Sequence, residues 1–306
     1  MDRWGIIVSA HSYSVRKRWD KIRECLEKKG VAYDSVQSEG DVAVERLSRM
    51  LCSNGYKTIV VVGADGSLYD AANGILHMSR GKGTPALGII PTGIGNDFAT
   101  FWGIQSDDYD AAIDNIIARR TRRIDVGVCR YTDEDGIAQH RFFLNCINVG
   151  LGARLIELTN RWRRLIGSKR LSLLPVLLAQ VFERKSYHVN LKADTETIQQ
   201  EVMSICIGNS TGYGQTPNSV PYNGRLDMSV ITRPQWWQLF EGFWLLNRGQ
   251  FLNYRNVHPY RLVSIQAQDF GRAPVSLDGR LLAGKKYAPM QIDVEKERLD
   301  FIISKD

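Results

Sequence analysis

Cysteine is sparse in this 306-residue chain, and its five copies (Cys25, Cys52, Cys129, Cys146, Cys206) are odd in number and widely spread. That points away from a disulfide framework and towards a reducing compartment, with several of these thiols serving as small buried hydrophobes. The five histidines are scattered too, without the spacing of zinc ligands, so no structural metal site is expected. No stretch reaches the ~18 to 20 apolar residues needed to span a bilayer, and the chain opens directly into a strand pattern without an apolar signal segment. A cytoplasmic protein is expected. No Gly-Lys is followed by Ser or Thr, and no turn carries the three spaced glycines of a dinucleotide fingerprint, so neither common nucleotide loop is present. Internal repeats and low-complexity segments are absent as well.

What the chain does have is apolar content, 43% hydrophobic, which is ample for two domain cores at this length. It also carries a formal charge of +7. A surplus of that sign favours an anionic partner, either membrane lipid or nucleic acid.

The stretch Val60 to Leu76 organises the rest. An apolar, β-branched run from Thr58 to Val62 has the character of a buried parallel strand and stops at Gly63. The turn Gly63-Ala64-Asp65-Gly66-Ser67 then bends sharply, with Ser67 expected to cap a helix running from Leu68 to Leu76. Unpaired N–H groups at such a helix start suit phosphate. A carboxylate at Asp65 beside phosphate points to a divalent cation or to proton transfer, while an ordinary βα turn using Asp65 locally is the competing reading.

A second stretch, Leu87 to Gly103, repeats the design: an apolar strand, Pro91, a glycine-rich turn, then a helix start at Asn96-Asp97-Phe98. Together the two stretches resemble the GGDGT and PxGTxND motifs of the diacylglycerol kinase catalytic-domain family of lipid kinases. Asp70 and Asn73-Gly74 fall in register with that family's first motif, and Gly93, Gly95, Asn96, Asp97, Phe98 and Ala99 match its second. NAD kinases share the first motif but also carry an Asn-Glu dipeptide, which is missing here.

Strand-like Trp4 to Ser9, helix-like Val15 to Lys29, strand-like Val31 to Val36 and helix-like Val42 to Met50 precede these motifs. The alternation predicts a doubly wound α/β domain over residues 1–121 with ligands at the strand ends. From residue 122 to 306 strand runs dominate: Arg122 to Tyr131, Arg141 to Val149, Ser186 to Lys192, Ile198 to Gly208, Arg225 to Ile231, Arg261 to Gln268, Pro274 to Leu277, Pro289 to Val294 and Leu299 to Ile303. They predict a mostly antiparallel second domain. The resemblance implies a β-sandwich there, with the active site in its cleft against the first domain and the last strands free to pack back towards that domain. In the family the first strand ends in an Asn-Pro turn. Here Ser9-Ala10-His11-Ser12 takes its place, and Ser38 lies near the family's nucleotide-contacting threonine.

Two helical insertions interrupt the strands. Ala153 to Lys185 holds six of the seven net positive charges, beside an apolar run from Leu171 to Leu178. It reads either as a helix on the sandwich or as a segment lying on a membrane. Pro234 to Leu252 places Trp236, Trp237, Leu239, Phe240, Phe243, Trp244, Leu246 and Phe251 along a helix face, which reads as core or as an interfacial anchor. Nucleic acid is the weaker partner because no recognition motif accompanies these basic residues.

The resemblance implies ATP-dependent transfer of phosphate to a lipid hydroxyl, diacylglycerol-like or sphingoid, with Mg2+ as cofactor. The expected nucleotide-binding residues are Gly63, Asp65, Gly66, Ser67, Gly93, Gly95, Asn96 and Asp97. Asp65, Asp278 and Arg280 form the expected catalytic set, and the metal ligands are left unassigned. Three departures fall on the chemistry. The family's late Asp-Gly-Glu, whose glutamate is the base, is Asp278-Gly279-Arg280; an aspartate of its magnesium network is Asn223; and Ile94 replaces a threonine of the second motif. Arg280 cannot accept a proton. The chain is therefore expected to be a lipid kinase in which Asp65 or Asp278 stands in for the base, or a non-catalytic nucleotide- or lipid-binding protein of the same fold. A lipid substrate and an anionic membrane surface are the expected partners, with peripheral attachment, and a homodimer is left open.

Overall fold

The structure is a computed structural model that describes residues 2–9, 13–38, 41–78, 83–92, 96–133, 135–155, 185–235, 237–282 and 289–304. The chain forms two compact units, Met1–Val126 with Lys296–Asp306, and Gly127–Glu295.

In the first unit β1 (Trp4–Ser9), β2 (Tyr33–Ser38), β3 (Thr58–Gly63) and β4 (Ala86–Pro91) form a parallel sheet in the order β2-β1-β3-β4. Every residue of β1, β3 and β4 is buried, which explains their unbroken apolar character: a parallel sheet is covered on both faces. Its cover is α1 (Tyr13–Lys28), α2 (Asp41–Ser53), α3 (Asp65–Met78), α4 (Asp97–Phe101) and α5 (Tyr109–Ala118). Helix α2 packs on α3, and α1 on α5, as right-handed crossovers to opposite faces require. The approach of α2 to α3 is tight at Gly74, where an added Cβ would meet Ser48 Oγ at 2.0 Å and the Glu45 carbonyl at 2.4 Å. The Asn73-Gly74 pair thus has a packing role, with Asn73 Nδ2 donating to the Tyr69 carbonyl.

The second unit holds the antiparallel strands. One sheet runs β12-β11-β10-β7-β14-β15, formed by Val257–Leu262, Leu226–Ile231, Ser204–Gly208, Cys146–Gly150, Val275–Leu277 and Arg280–Leu281. The other set pairs β13 (Ser264–Asp269) with β16 (Met290–Ile302) and with β8 (Tyr187–Ala193), which pairs β9 (Glu196–Val202). A hairpin joins β5 (Thr121–Thr132) to β6 (Ala138–Phe143). Strands β5 and β16 pass from one unit into the other.

Three runs expected as single strands are each two. Arg141 to Val149 divides at Leu144 and Asn145, Ile198 to Gly208 at Met203, and Arg261 to Gln268 within a longer span at Val263. At each break the chain leaves one sheet and enters the other, a sandwich corner that the alternation of side chains does not reveal. At Met203 the backbone N–H turns to the Ile231 carbonyl at 2.8 Å. Conversely, the two runs expected at the end of the chain are one strand, β16. It contains a left-handed residue, Glu297 (φ 47°), whose N–H donates to Asp125 Oδ1 at 2.9 Å.

The basic insertion is described only at 151–155, which are helical, and at Lys185; its charged and apolar core, 156–184, lies outside the described residues. In the second insertion α6 (Gln238–Asn247) forms as expected, although Trp236 is outside the described residues. The expected face is divided: Phe251 joins a buried cluster with Leu246 packed against it, whereas Trp237, Phe240 and Trp244 are exposed, and the side chains of Leu239 and Phe243 lie outside the described ones.

Candidate functional site

In the first unit the site grows from the carboxyl ends of four adjacent strands. β2 ends at Ser38, β1 at Ser9, β3 at Gly63 and β4 at Pro91 followed by Thr92, whose N–H donates to the Gly63 carbonyl at 2.9 Å. Small polar side chains thus form a row along this edge. Ser67 Oγ donates to Ser9 Oγ at 2.8 Å, while the buried Ser38 Oγ and Thr92 Oγ1 find no hydrogen-bond partner among the described residues. Buried hydroxyls are rarely left so without a ligand or water to satisfy them.

Helix α3 begins earlier than expected. Ser67 N and Leu68 N both donate to the Ala64 carbonyl, which puts Asp65 in the first turn and Ser67 inside it, so Ser67 is not the cap. Its hydroxyl is used on Ser9 instead. Gly63 packs closely there: a Cβ would sit 3.0 Å from the Ser67 side chain and 3.2 Å from Ser9 Cβ, so these neighbours would have to give by a few tenths of an ångström.

Asp65 is buried, and its Oδ2 accepts from Asp97 N at 2.9 Å and from Phe98 N at 3.5 Å. The carboxylate of the first motif therefore holds the helix start of the second. Asn96 precedes α4 and turns its Nδ2 to Ser106 Oγ at 2.8 Å rather than capping the helix with its side chain. Gly66 lies in the first turn of α3, and Gly93, Ile94 and Gly95 are outside the described residues.

The second unit gathers the other expected residues about a different carboxylate. Asp278 (φ 44°) and Gly279 (φ 83°) form the two-residue turn between β14 and β15, where both left-handed conformations match the Asp-Gly preference of a type I′ hairpin. Asp278 is fully buried. Its Oδ2 accepts from Leu144 N at 2.6 Å, and its Oδ1 from Asn145 N at 2.9 Å and Cys146 N at 2.8 Å. Burial pushes its carboxyl up to about 6, against the three N–H donors, which pull it down. Both oxygens are engaged in fastening the corner between β6 and β7. Arg280 next to it is half-buried on β15.

Around this corner lie polar residues that the motif reading passed over. Asn145 Oδ1 accepts from Gly212 N at 2.9 Å, Asn148 Oδ1 from Gln215 Nε2 at 3.0 Å, and the buried Asn209 Nδ2 donates to the Leu144 carbonyl at 2.9 Å. Their only sequence signal was polarity inside apolar runs. Gly212, which opens the turn Gly212-Tyr213-Gly214, is left-handed (φ 56°), and a Cβ there would meet Thr216 Oγ1 at 2.4 Å, so packing as well as backbone conformation calls for glycine at this position. Asn223 is exposed, with Oδ1 accepting from Arg225 N at 2.9 Å. Among the described residues no group of three His, Cys, Asp or Glu could hold a metal ion, and no helix is long and apolar enough to cross a membrane.

The domain model "Diacylglycerol kinase catalytic domain" matches residues 3–129, and "YegS C-terminal NAD kinase beta sandwich-like domain" matches 145–302. The chain belongs to the diacylglycerol kinase catalytic-domain family of lipid kinases. It is 25% identical over 260 residues to a diacylglycerol kinase of Staphylococcus carnosus, covering 80% of this chain and 76% of that one. A diacylglycerol kinase of Mycobacterium tuberculosis is 26% identical over 268 residues, covering 85% and 82%. In structure the chain resembles a diacylglycerol kinase from Bacillus anthracis, with a TM-score of 0.67 at 16% identity over 99% of this chain and 97% of that one. Yeast NADH kinase solved with NADH shares the fold at a TM-score of 0.54 and 11% identity, over 100% of this chain and 84% of that one. The fold is accordingly an α/β first domain of the kind these kinases share, followed by an antiparallel, sandwich-like second domain.

Proposed function

We propose that the protein transfers the γ-phosphate of ATP to the hydroxyl of a membrane lipid, diacylglycerol-like or sphingoid. The observation that carries this reading is the Asp65 carboxylate bonded to the backbone N–H of Asp97, which ties the two glycine-rich motifs together beside the row of strand-end hydroxyls. A hydroxyl-lined edge with one buried carboxylate suits a triphosphate carrying its own cation better than a resident metal, which would need more protein ligands. Gly63, Gly66, Gly93, Gly95 and the N-termini following them would give backbone donors to the phosphates, with Ser67 and Thr92 adding hydroxyls. Asp65 and Asp97 would orient Mg2+ or its waters, and the metal would supply neutralisation of the transferring phosphoryl group.

In the reaction the lipid hydroxyl oxygen bonds to the γ-phosphorus, the bond from that phosphorus to the β,γ-bridging oxygen breaks, and ADP leaves. The hydroxyl proton needs an acceptor. Asp278 has both oxygens committed to backbone N–H groups, so Asp65 is the stronger candidate of the two. The second reading, a nucleotide- or lipid-binding protein without turnover, draws on Arg280 and Asn223 standing where the family has carboxylates. Residues 153–185 add positive charge that would attract anionic lipid and lose that attraction in high salt. Transfer of radiolabelled phosphate from ATP to a mixed lipid extract tests the proposal: a labelled lipid absent from the Asp65→Asn reaction supports it, and ATP binding without labelled lipid favours the second reading.

A further inference from the structure

We infer that the exposed face of α6 is a docking surface for an anionic lipid bilayer. Trp237, the residue at the N-cap of α6, and Phe240 and Trp244 within it are 55%, 66% and 50% exposed, unusually high for side chains of this size so close together. At 100° per residue, Trp237, Phe240, Trp244 and Arg248 fall within an arc of roughly 80°. The helix is not loosely attached. Its other side buries Leu245 against Met203, Ile231, Phe251 and Val257, and at Gly242 an added Cβ would lie 2.9 Å from the Tyr254 ring, so the backbone rests directly on that aromatic. A firmly seated helix that turns three large aromatics outward presents a fixed apolar surface.

The charge around those aromatics selects the occupant. The Arg248 guanidinium stacks over Trp244 at 4.0 Å from the ring centroid, and Arg233 and Arg255 are also exposed nearby in sequence. Glu241 is the one acidic residue of the helix, and it pairs with Arg255 at 3.4 Å. Tryptophans whose rings enter the headgroup layer, bordered by arginines that meet lipid phosphates, are the chemistry of a membrane interface. A protein partner would need no excess of cations. The choice of a bilayer rests on the lipid-kinase reading, since a lipid hydroxyl is reached at a membrane surface.

The test uses the full chain without nucleotide, sedimented with vesicles of phosphatidylcholine containing a quarter phosphatidylglycerol. The triple variant Trp237→Ser, Phe240→Ser, Trp244→Ser should bind about 100-fold more weakly than the wild type, with an unchanged melting temperature because these side chains are exposed. Arg248→Ser should weaken binding to these vesicles while leaving binding to pure phosphatidylcholine unchanged. Equal vesicle binding by wild type and triple variant overturns the inference, as does a wild-type dimer in sedimentation velocity that the triple variant loses while vesicles bind neither. Phosphate transfer to a monomeric short-chain diacylglycerol separates the two claims. If wild type and triple variant phosphorylate it equally and differ only on vesicles, docking is supported. If neither transfers phosphate while vesicle binding still depends on the three aromatics, the kinase reading fails and the docking surface stands.

Discussion

Asp65 and Asp278 are both buried aspartates that reach across the chain to backbone N–H groups, Asp65 over 32 residues and Asp278 over 132 to 134. Asp65 does so from the first turn of a helix and towards the start of another. Asp278 does so from a β-turn with no helix near it in sequence, and burial raises its pKa to about 6. The same side chain therefore serves two ends. At Asp65 the carboxylate ties two helix starts together at the end of a parallel sheet, where ligands of doubly wound folds bind. At Asp278 the carboxylate is consumed as a staple for a sandwich corner.

The comparison is broken most severely at Asp65. If the proposed function holds, Asp65→Asn should lower ATP-to-lipid transfer by ~10³-fold through loss of charge in the proposed phosphate site. Its amide oxygen can still accept from Asp97 N, so the stability change should stay within about 1 kcal/mol. Initial rates and a thermal melt on the same preparation measure both, and an unchanged rate would reduce Asp65 to a turn former.

Asp278→Ala should show the opposite balance. Three buried N–H groups lose their acceptor, and the midpoint of urea unfolding should fall by the equivalent of ~3 kcal/mol or more. A pH series sharpens this. With a folded value of about 6 against an ordinary 3.8, the folded protein keeps a proton that the unfolded chain has released between those values. The stabilisation linked to Asp278 is thus complete below 3.8 and declines as pH rises through 6, by at most about 3 kcal/mol. Subtracting the Asp278→Ala stability profile from that of the wild type should leave this slope; a flat difference would show that the donors cancel the burial, and a reversed slope that they outweigh it.

Arg280→Glu asks whether a base is missing beside that staple. It should raise transfer by ~10²-fold if proton removal is the main deficit, and Asn223→Asp should add to it. A wild type as fast as the double variant would assign the base elsewhere, with Asp65 tested first. The smallest effect is expected at Ser67→Ala, where loss of the hydrogen bond to Ser9 should cost ~1 kcal/mol in thermal stability.

Much of the first unit was legible because its information is local. β1 and β3 announce themselves as apolar runs, and Gly63 ends β3 two residues before a helix. The second unit was legible in class but not in its strand breaks. Leu144–Asn145, Met203 and Val263 lie inside runs that look continuous, because a chain changing sheets keeps alternating apolar and polar residues. The Asn73-Gly74 pair shows the same limit: the sequence placed it in a motif, and only the packing of α2 on α3 shows what the glycine is for.

The sequence by itself determined the family, the α/β-then-antiparallel order and the two motif turns, since each depends on residues close together in the chain and on backbone conformations that glycine permits. It also flagged the aromatic stripe of α6, but could not divide it. Which aromatics face the core and which face solvent depended on Tyr254 and the strands beneath the helix. Tertiary structure alone decided what the two aspartates do. An acceptor is defined by the donors that reach it, and those donors come from 32 residues away for Asp65 and from more than 130 for Asp278.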